Sequence, residues 1–535
     1  MAYSQNFSSV RFSPEDQLKN PNHVSLDNLM RAQPSALMLL FVVFIPSSLT
    51  AEGLQLSDVF TDNAVLQQGV AVPVWGTTRA NTAVALEFAG QSKTTTAGSD
   101  GHWRIELSPL QATHTGRTMT VKSGTSIQER HDLLIGEVWY ASGQSNMQMT
   151  LAACGRKVPA IKAMVEAAST NHIRYLRISD PDSPHALTKR RQPSIWQVDN
   201  PLNREKQSAV AYLFADMLHA QLGVPIGIIE GSWGGKPIEG FIPRLQFTKQ
   251  LALQKTLSLS DKNQLDDVAK LKGGVIIRNT AGMPARIFNA RVSPITPFAI
   301  RGFIWYQGES NAGRGEDPRN YRIKMQALID GWRETWGQPA LPFYFVQLPA
   351  FNDTAHGWVR LREEQRLSLS IPHTGMAVTI DLRDSDIHPA NKLDVAQRLV
   401  NWALAKTYDK QLVYSGPLFK SATVNHNTMR VQFDHAEPGL TVAHKRGLGL
   451  PKATPDTALA HFELADSTGS WYPAQASIDG SEVVVRSPQV RQPRAVRYAC
   501  SGDPSNANLY NLAGLPASPF CSDLQLLPWV DETQR

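Results

Sequence analysis

The chain is poor in cysteine, has no long apolar run and no block of like charge, and each shortage closes off a class of protein. Three cysteines in 535 residues cannot staple a disulfide-rich scaffold or fill a four-cysteine metal site. The longest apolar run, Ala36 to Ile45, is far shorter than the roughly 20 residues a membrane-spanning helix needs. The formal charge is +6, yet no stretch of five or six basic residues with interleaved aromatics occurs, so no nucleic-acid partner is expected. The histidines near the motifs described below are not grouped at ligand spacing, and no metal is expected. Solenoid repeats and low-complexity tracts are also missing. What remains is 42% hydrophobic content, enough for several buried cores in two to four domains.

Met30-Arg31 precedes the Ala36 to Ile45 run, and small polar residues follow through Thr50-Ala51. That is the layout of a secretory signal peptide, and the polar stretch before it points to a translation start at Met30. The expectation is a leader over 1–53, a secreted or periplasmic protein, and no membrane span once the signal is cleaved; an uncleaved anchor is the alternative. In an exported chain, Cys500 and Cys521, which flank a loop rich in Asn, Pro and Gly, are expected to pair. The alternative is three free thiols, Cys154 included.

From Leu54 to Arg130, short segments rich in Val and Thr alternate with turn residues, predicting a small β domain over 54–132. From Leu133 the pattern changes to apolar runs of strand length separated by amphipathic helical stretches. This predicts an α/β fold over 133–410, a parallel sheet with helices on both faces. Its strands are expected at Leu133 to Ala141, Ile173 to Ile178, Val224 to Ile229, Phe303 to Tyr306, Phe343 to Leu348 and Met376 to Ile380. Ser208 and Gly223 bracket one predicted helix, and Asn320 to Trp336 form a second with apolar residues at helical spacing. After Asp409 the strand-like pattern returns, predicting a β-sandwich-like domain over 411–535.

Ligands of open parallel sheets bind beyond the carboxyl ends of the strands, so the residues just after each predicted strand carry the functional reading. The first strand ends in Ser142-Gly-Gln-Ser-Asn-Met147, where Ser145 is presented as a nucleophile. The third ends in Gly231-Ser-Trp-Gly-Gly-Lys-Pro237, where the N–H of Gly234 or Gly235 can approach an oxyanion, as can that of Ser145. The fourth ends in Trp305-Tyr-Gln-Gly-Glu-Ser-Asn311, with the Gln307 amide as a further donor. Glu309 can orient the site, bind sugar hydroxyls or satisfy local main chain. The last runs through Asp381-Leu-Arg-Asp-Ser-Asp-Ile-His-Pro389, with His388 as base and a nearby carboxylate to orient it. Nucleophile, base, acid and oxyanion donors at one sheet edge make up the machinery of acyl transfer.

Together Gly143-Gln-Ser-Asn-Met147, Ser232-Trp-Gly-Gly, Trp305-Tyr-Gln-Gly-Glu-Ser310, Asp386-Ile-His-Pro389 and Gly514-Leu-Pro-Ala-Ser-Pro-Phe520 resemble the sialate O-acetylesterase family, and the match spans nearly the whole chain after the leader. The resemblance implies an SGNH-hydrolase, flavodoxin-like catalytic domain flanked by β domains, no metal or organic cofactor, and an O-acetylated sugar or glycan as substrate. It carries Ser145 over as nucleophile, His388 as base and Asp386 as acid. The segment between Asp381 and His388 is about one residue shorter than the family pattern, which makes Asp384 the alternative acid. Lys236 stands where the family more often has threonine. Asn146, Trp233, Trp305, Tyr306 and Glu309 are assigned to substrate binding, the aromatics by stacking on a sugar ring. Sialate esters are the first expectation, acetylated xylan or xyloglucan the second, and a carbohydrate-binding protein without catalysis the third.

Overall fold

The computed structural model describes residues 53–262, 282–312, 318–351 and 357–527; the expected leader lies outside them. The frame is a large mixed sheet of 11 strands. Six of its strands position the site: β1 (Ser126–Gly143), β2 (Ile173–Arg177), β3 (Ile226–Glu230), β4 (Gly302–Tyr306), β5 (Phe343–Val346) and β6 (Thr374–Ala377). They lie in the order β2-β3-β1-β4-β5-β6, and each neighbouring pair is parallel.

The strands are largely apolar because both faces are covered, with Arg174 of β2 and Glu230 of β3 among the buried exceptions held in ion pairs. Adjacent residues on β1 show it. The Trp139 ring meets Phe214 of α1 (Ala209–Leu222), centroids 5.1 Å apart. Tyr140, pointing the other way, meets Trp332 of α2 (Tyr321–Trp336) at 5.4 Å. On the Trp139 side, Tyr344 of β5 faces Trp402 of α3 (Lys392–Lys406). Ser208 caps α1 by accepting from Ala211 N at 3.1 Å, as its residue type predicts. Helix α3 opens three residues after Pro389, and Asn391 is its cap, accepting from Asp394 N.

β1 also departs from the simple division into domains, because the change of pattern at 132/133 falls inside one continuous strand. Its first half alternates in exposure and pairs antiparallel with Thr113–Ser123, whereas its second half is buried throughout. Asp132, at the junction, takes a positive φ of 54° and binds Arg174 of β2 at 2.9 Å. Beyond α3 come further β-sheets, among them a four-stranded one containing Leu418–Asn425 and Thr428–Asp434. One connected apolar cluster runs from Leu54 to Phe520.

The expected Cys500–Cys521 disulfide is not formed; both are free thiols, as is Cys154. Cys500 Sγ donates to Phe520 O and Cys521 Sγ to Asp523 O, each at 3.2 Å. Burial raises both thiols, Cys521 to about 12, which keeps them protonated and able to donate.

Candidate active site

Four strand-end segments converge beyond β1, β3, β4 and β6. β1 ends at Gly143, whose φ of 137° and close approach exclude a side chain: a Cβ would lie 2.1 Å from Tyr306 O. That fit lets Gln144 N donate to Tyr306 O at 2.9 Å and starts the short helix Ser145–Gln148. Ser145 is its first residue, so its N–H has no acceptor within the helix.

Ser145 Oγ lies 2.8 Å from His388 Nε2. His388 Nδ1 is 3.2 Å from Asp386 Oδ1, which also accepts from His388 N at 3.3 Å. The imidazole is half-buried and the Asp386 carboxylate 56% exposed. A proton on Nδ1 leaves the Nε2 lone pair facing the serine hydroxyl. Asp384 is turned elsewhere: it accepts from Lys157 Nζ (3.0 Å), Ser385 N (2.7 Å) and Ala390 N (3.2 Å). Burial would raise the Asp384 carboxyl, but Lys157 and the N–H donors outweigh it and hold it below the usual range. Of the two candidate acids, Asp386 meets the histidine and Asp384 braces the loop.

Several expected site residues are placed differently. Gln307 is wholly buried. Its Nε2 donates to Asn311 Oδ1 (2.7 Å), Gln144 Oε1 (3.1 Å) and Lys236 O (3.3 Å), while Oε1 accepts from Tyr321 OH. With both N–H groups engaged, it is a strut between loops rather than a free oxyanion donor. Trp305 and Tyr306 are 1% and 0% exposed, because β4 is buried on both faces. Trp305 packs edge-on against Phe241 and Trp332, so neither aromatic can stack on a sugar. Trp233 is half-buried, and the Arg291 guanidinium already lies 4.1 Å from its ring centroid.

Gly234 N donates to Gln148 Oε1 at 3.0 Å, so this expected oxyanion donor is engaged by the chain's own amide. Gly235 is exposed in the same loop, with nothing within 4 Å of where a Cβ would stand. Lys236 Nζ sits 5.7 Å from the Trp233 centroid, and burial lowers its pKa although Asp182 opposes this. Asn146 and Glu309, expected at the substrate, are both buried. Asn146 Nδ2 donates to Glu309 Oε1 at 2.6 Å and to Ile387 O at 3.0 Å, and burial raises the Glu309 carboxyl.

Two residues of the site escaped the sequence reading. Gln148 carries no motif that marks it. Lys392 did carry a signal, since it falls on the stripe of Val395, Ala396 and Leu399 that α3 buries, where a lysine is out of place. Its Nζ donates to Asn146 Oδ1. Among the described residues no group of three or more His, Cys, Asp or Glu is arranged to hold a metal.

The profile described as carbohydrate esterase, sialic acid-specific acetylesterase matches residues 135–408. The sialate O-acetylesterase of Rattus norvegicus is 27% identical over 557 aligned positions, covering 92% of this chain and 98% of that protein. Its Homo sapiens counterpart is 29% identical over 407, covering 68% and 73%. A carbohydrate acetylesterase from Xanthomonas citri, known from its crystal structure, shares 34% identity over 88% of this chain and 100% of its own, with a TM-score of 0.75. The serine–histidine–aspartate contact thus sits within the matched segment, and the chain belongs to the sialic acid-specific acetylesterase family of carbohydrate esterases.

Proposed function

We propose that this chain is a serine carboxylic-ester hydrolase that removes O-acetyl groups from carbohydrate, with Ser145 as nucleophile, His388 as general base and Asp386 as the acid that orients the imidazole. The observation that carries the reading is the 2.8 Å contact between Ser145 Oγ and His388 Nε2. As Oγ bonds to the acetyl carbon, its proton passes to Nε2 and the carbonyl oxygen becomes an oxyanion. Collapse breaks the bond to the sugar oxygen, which takes the proton from the imidazolium. Water then repeats the sequence on the acetyl-enzyme and acetate leaves. The oxyanion forms beside Ser145 N–H, with Gly235 N–H and, once Gln148 Oε1 withdraws, Gly234 N–H as partners.

The same reading covers the fold. Counted as first to fifth, β1, β3, β4, β5 and β6 stand in the order 2-1-3-4-5 of flavodoxin-like proteins, with β2 added outside β3. This supports an SGNH-type catalytic domain within 133–410, joined through β1 to the β structure of 54–132 and followed by a β domain at 411–535. A secreted or periplasmic location accords with a glycan substrate, and N-terminal sequencing of exported protein tests it.

For the sugar, an O-acetylated sialic acid is the first choice, in keeping with the curated relatives' names and with Lys236 as a cation beside the glycine loop. A neutral acetylated xylan or xyloglucan is the second reading, and the broader name of the Xanthomonas citri carbohydrate acetylesterase accords with either sugar. Ser145→Ala is expected to lower turnover of a chromogenic acetyl ester by about 10⁴- to 10⁶-fold. Retention of most activity overturns the assignment, and failure of an organophosphate to label Ser145 favours a non-catalytic binding protein. Acetate release from O-acetylated sialic acids, acetylxylan and acetylated xyloglucan separates the two sugar readings.

A further inference from the structure

The mechanism above gives no task to a buried cation that touches the site, Lys392. Lys392 opens α3 four residues after His388, and its side chain is fully buried. Its Nζ donates to Asn146 Oδ1 and lies 5.1 Å from the Tyr306 ring centroid. Asn146 in turn donates to Glu309 Oε1 and to Ile387 O, the main chain just before His388. One side-chain amide therefore joins the residue after Ser145, the turn after β4 and the loop that carries the imidazole.

Stability does not explain a lysine here. A buried ammonium is costly to desolvate, and the first turn of a helix is the wrong end for a cation because the macrodipole is positive there. The groups around it come from every neighbouring segment: Cys154 and Asn146 beyond β1, Tyr306 and Glu309 at the end of β4, and Asp384 and Asp386 on the His388 loop. Burial pushes Lys392 down to about 8, while Cys154, Glu309 and the two aspartates act in the opposite sense. Glu309 is the counterpart, raised by burial and lowered by Asn146, Lys392 and His388. Its Oε2 has no hydrogen-bond partner among the described residues.

We propose that Lys392 is a positioning residue of the hydrolytic site: by holding the Asn146 amide it fixes the main chain at Ile387, and with it the reach of His388 Nε2 to Ser145 Oγ. This rests on the reading of Ser145 and His388 as nucleophile and base. The two side chains belong to segments far apart in the chain, and their contact depends on such a tether. Misplacement of a reacting group by about 1 Å costs on the order of 100-fold in rate.

The test uses the full chain, with each variant first shown to melt cooperatively. Lys392→Met keeps the apolar stem and removes the ammonium, and Asn146→Ala removes its acceptor. Lys406→Met, at the other end of α3, is the control and keeps wild-type activity. On 4-nitrophenyl acetate, Lys392→Met and Asn146→Ala are each expected to lower kcat by about 100-fold with KM within about 2-fold. The double variant is no worse than the weaker single, since both cut one chain of contacts. Lys392→Arg, which restores charge and donors, recovers part of kcat. Wild-type kcat falls on the alkaline side near pH 8, as Lys392 loses its proton, and that limb is missing from Lys392→Met.

The His388 ring signal in ¹⁵N-histidine-labelled protein supplies a readout besides turnover. It moves in Lys392→Met and stays in place in Lys406→Met. A folded Lys392→Met that keeps more than about half of kcat, losses that multiply in the double variant, or an unmoved His388 signal overturns the proposal. If the wild type itself fails to cleave acetyl esters while the His388 signal still moves, the positioning role stands and the esterase reading falls.

Discussion

Asp384 and Asp386 lie two residues apart on one loop and hold different partners, and this decides what each substitution does. Asp386 receives the Nδ1–H and the main-chain N–H of His388, so Asp386→Asn presents a donor to a donor and favours the wrong tautomer. A loss in kcat of about 10³- to 10⁴-fold is expected. Asp384 binds Lys157, Ser385 and Ala390, so Asp384→Asn loosens the loop and costs about tenfold or less, the scale of one or two hydrogen bonds. Because Asp384 is held below its ordinary value, its contribution to loop order is complete above the usual carboxylate pKa. It is lost as pH falls through the lower folded value. Profiles of kcat/KM against pH for both variants check this, and the opposite ranking would make Asp384 the orienting acid.

At the level of elements, the end of β1 tolerates no side chain where it crosses β4. Gly143→Ala forces a Cβ to 2.1 Å from Tyr306 O at a φ of 137°. Main chain cannot rotate away as a side chain can, so the expected cost is about 2–4 kcal/mol with near-complete loss of activity. Gly235, also at positive φ but with open space around it, loses only about 1–2 kcal/mol on change to alanine. Urea denaturation of the pair measures the contrast; equal losses would show that the β1–β4 approach is not limiting. Ser145 is thus delivered by a steric fit between two neighbouring strands, and the Gln307 strut behind it keeps Gln144 in register.

In the whole molecule, the C-terminal sheets are packed into the frame that carries the site. Ser518 Oγ accepts from Gln347 Nε2 at 2.9 Å, both groups being buried, and the Arg366 guanidinium lies 5.5 Å from the Phe419 ring centroid. Tyr510 OH reaches Asp381 Oδ2, which in turn grips Arg398 of α3. Ending the chain after residue 410 strips these partners and exposes apolar surface. The shortened protein is expected to aggregate or to lose cooperative melting. A soluble, cooperatively melting 53–410 fragment would show that the catalytic frame is self-sufficient.

Ser145, His388 and the glycine loop were legible before any fold was known, because a serine, histidine or glycine just past an apolar strand has a local meaning. The six parallel strands were legible for a related reason: strands buried on both faces are largely apolar. Burial and partner choice were not. Trp305, Tyr306, Gln307, Asn146 and Glu309 look like ligand groups in the chain and become core or struts only when α2, α3 and the His388 loop close over them. Lys392 shows the same limit from the other side, since its stripe marks it as buried but only packing reveals the Asn146 amide it holds. The choice of Asp386 over Asp384 turned on the direction of two side chains, and the open Cys500–Cys521 pair on which carbonyl each thiol faces. Residue type and spacing act over a few neighbours, whereas which groups share a cavity is set by segments hundreds of residues apart, and that choice belongs to the tertiary structure.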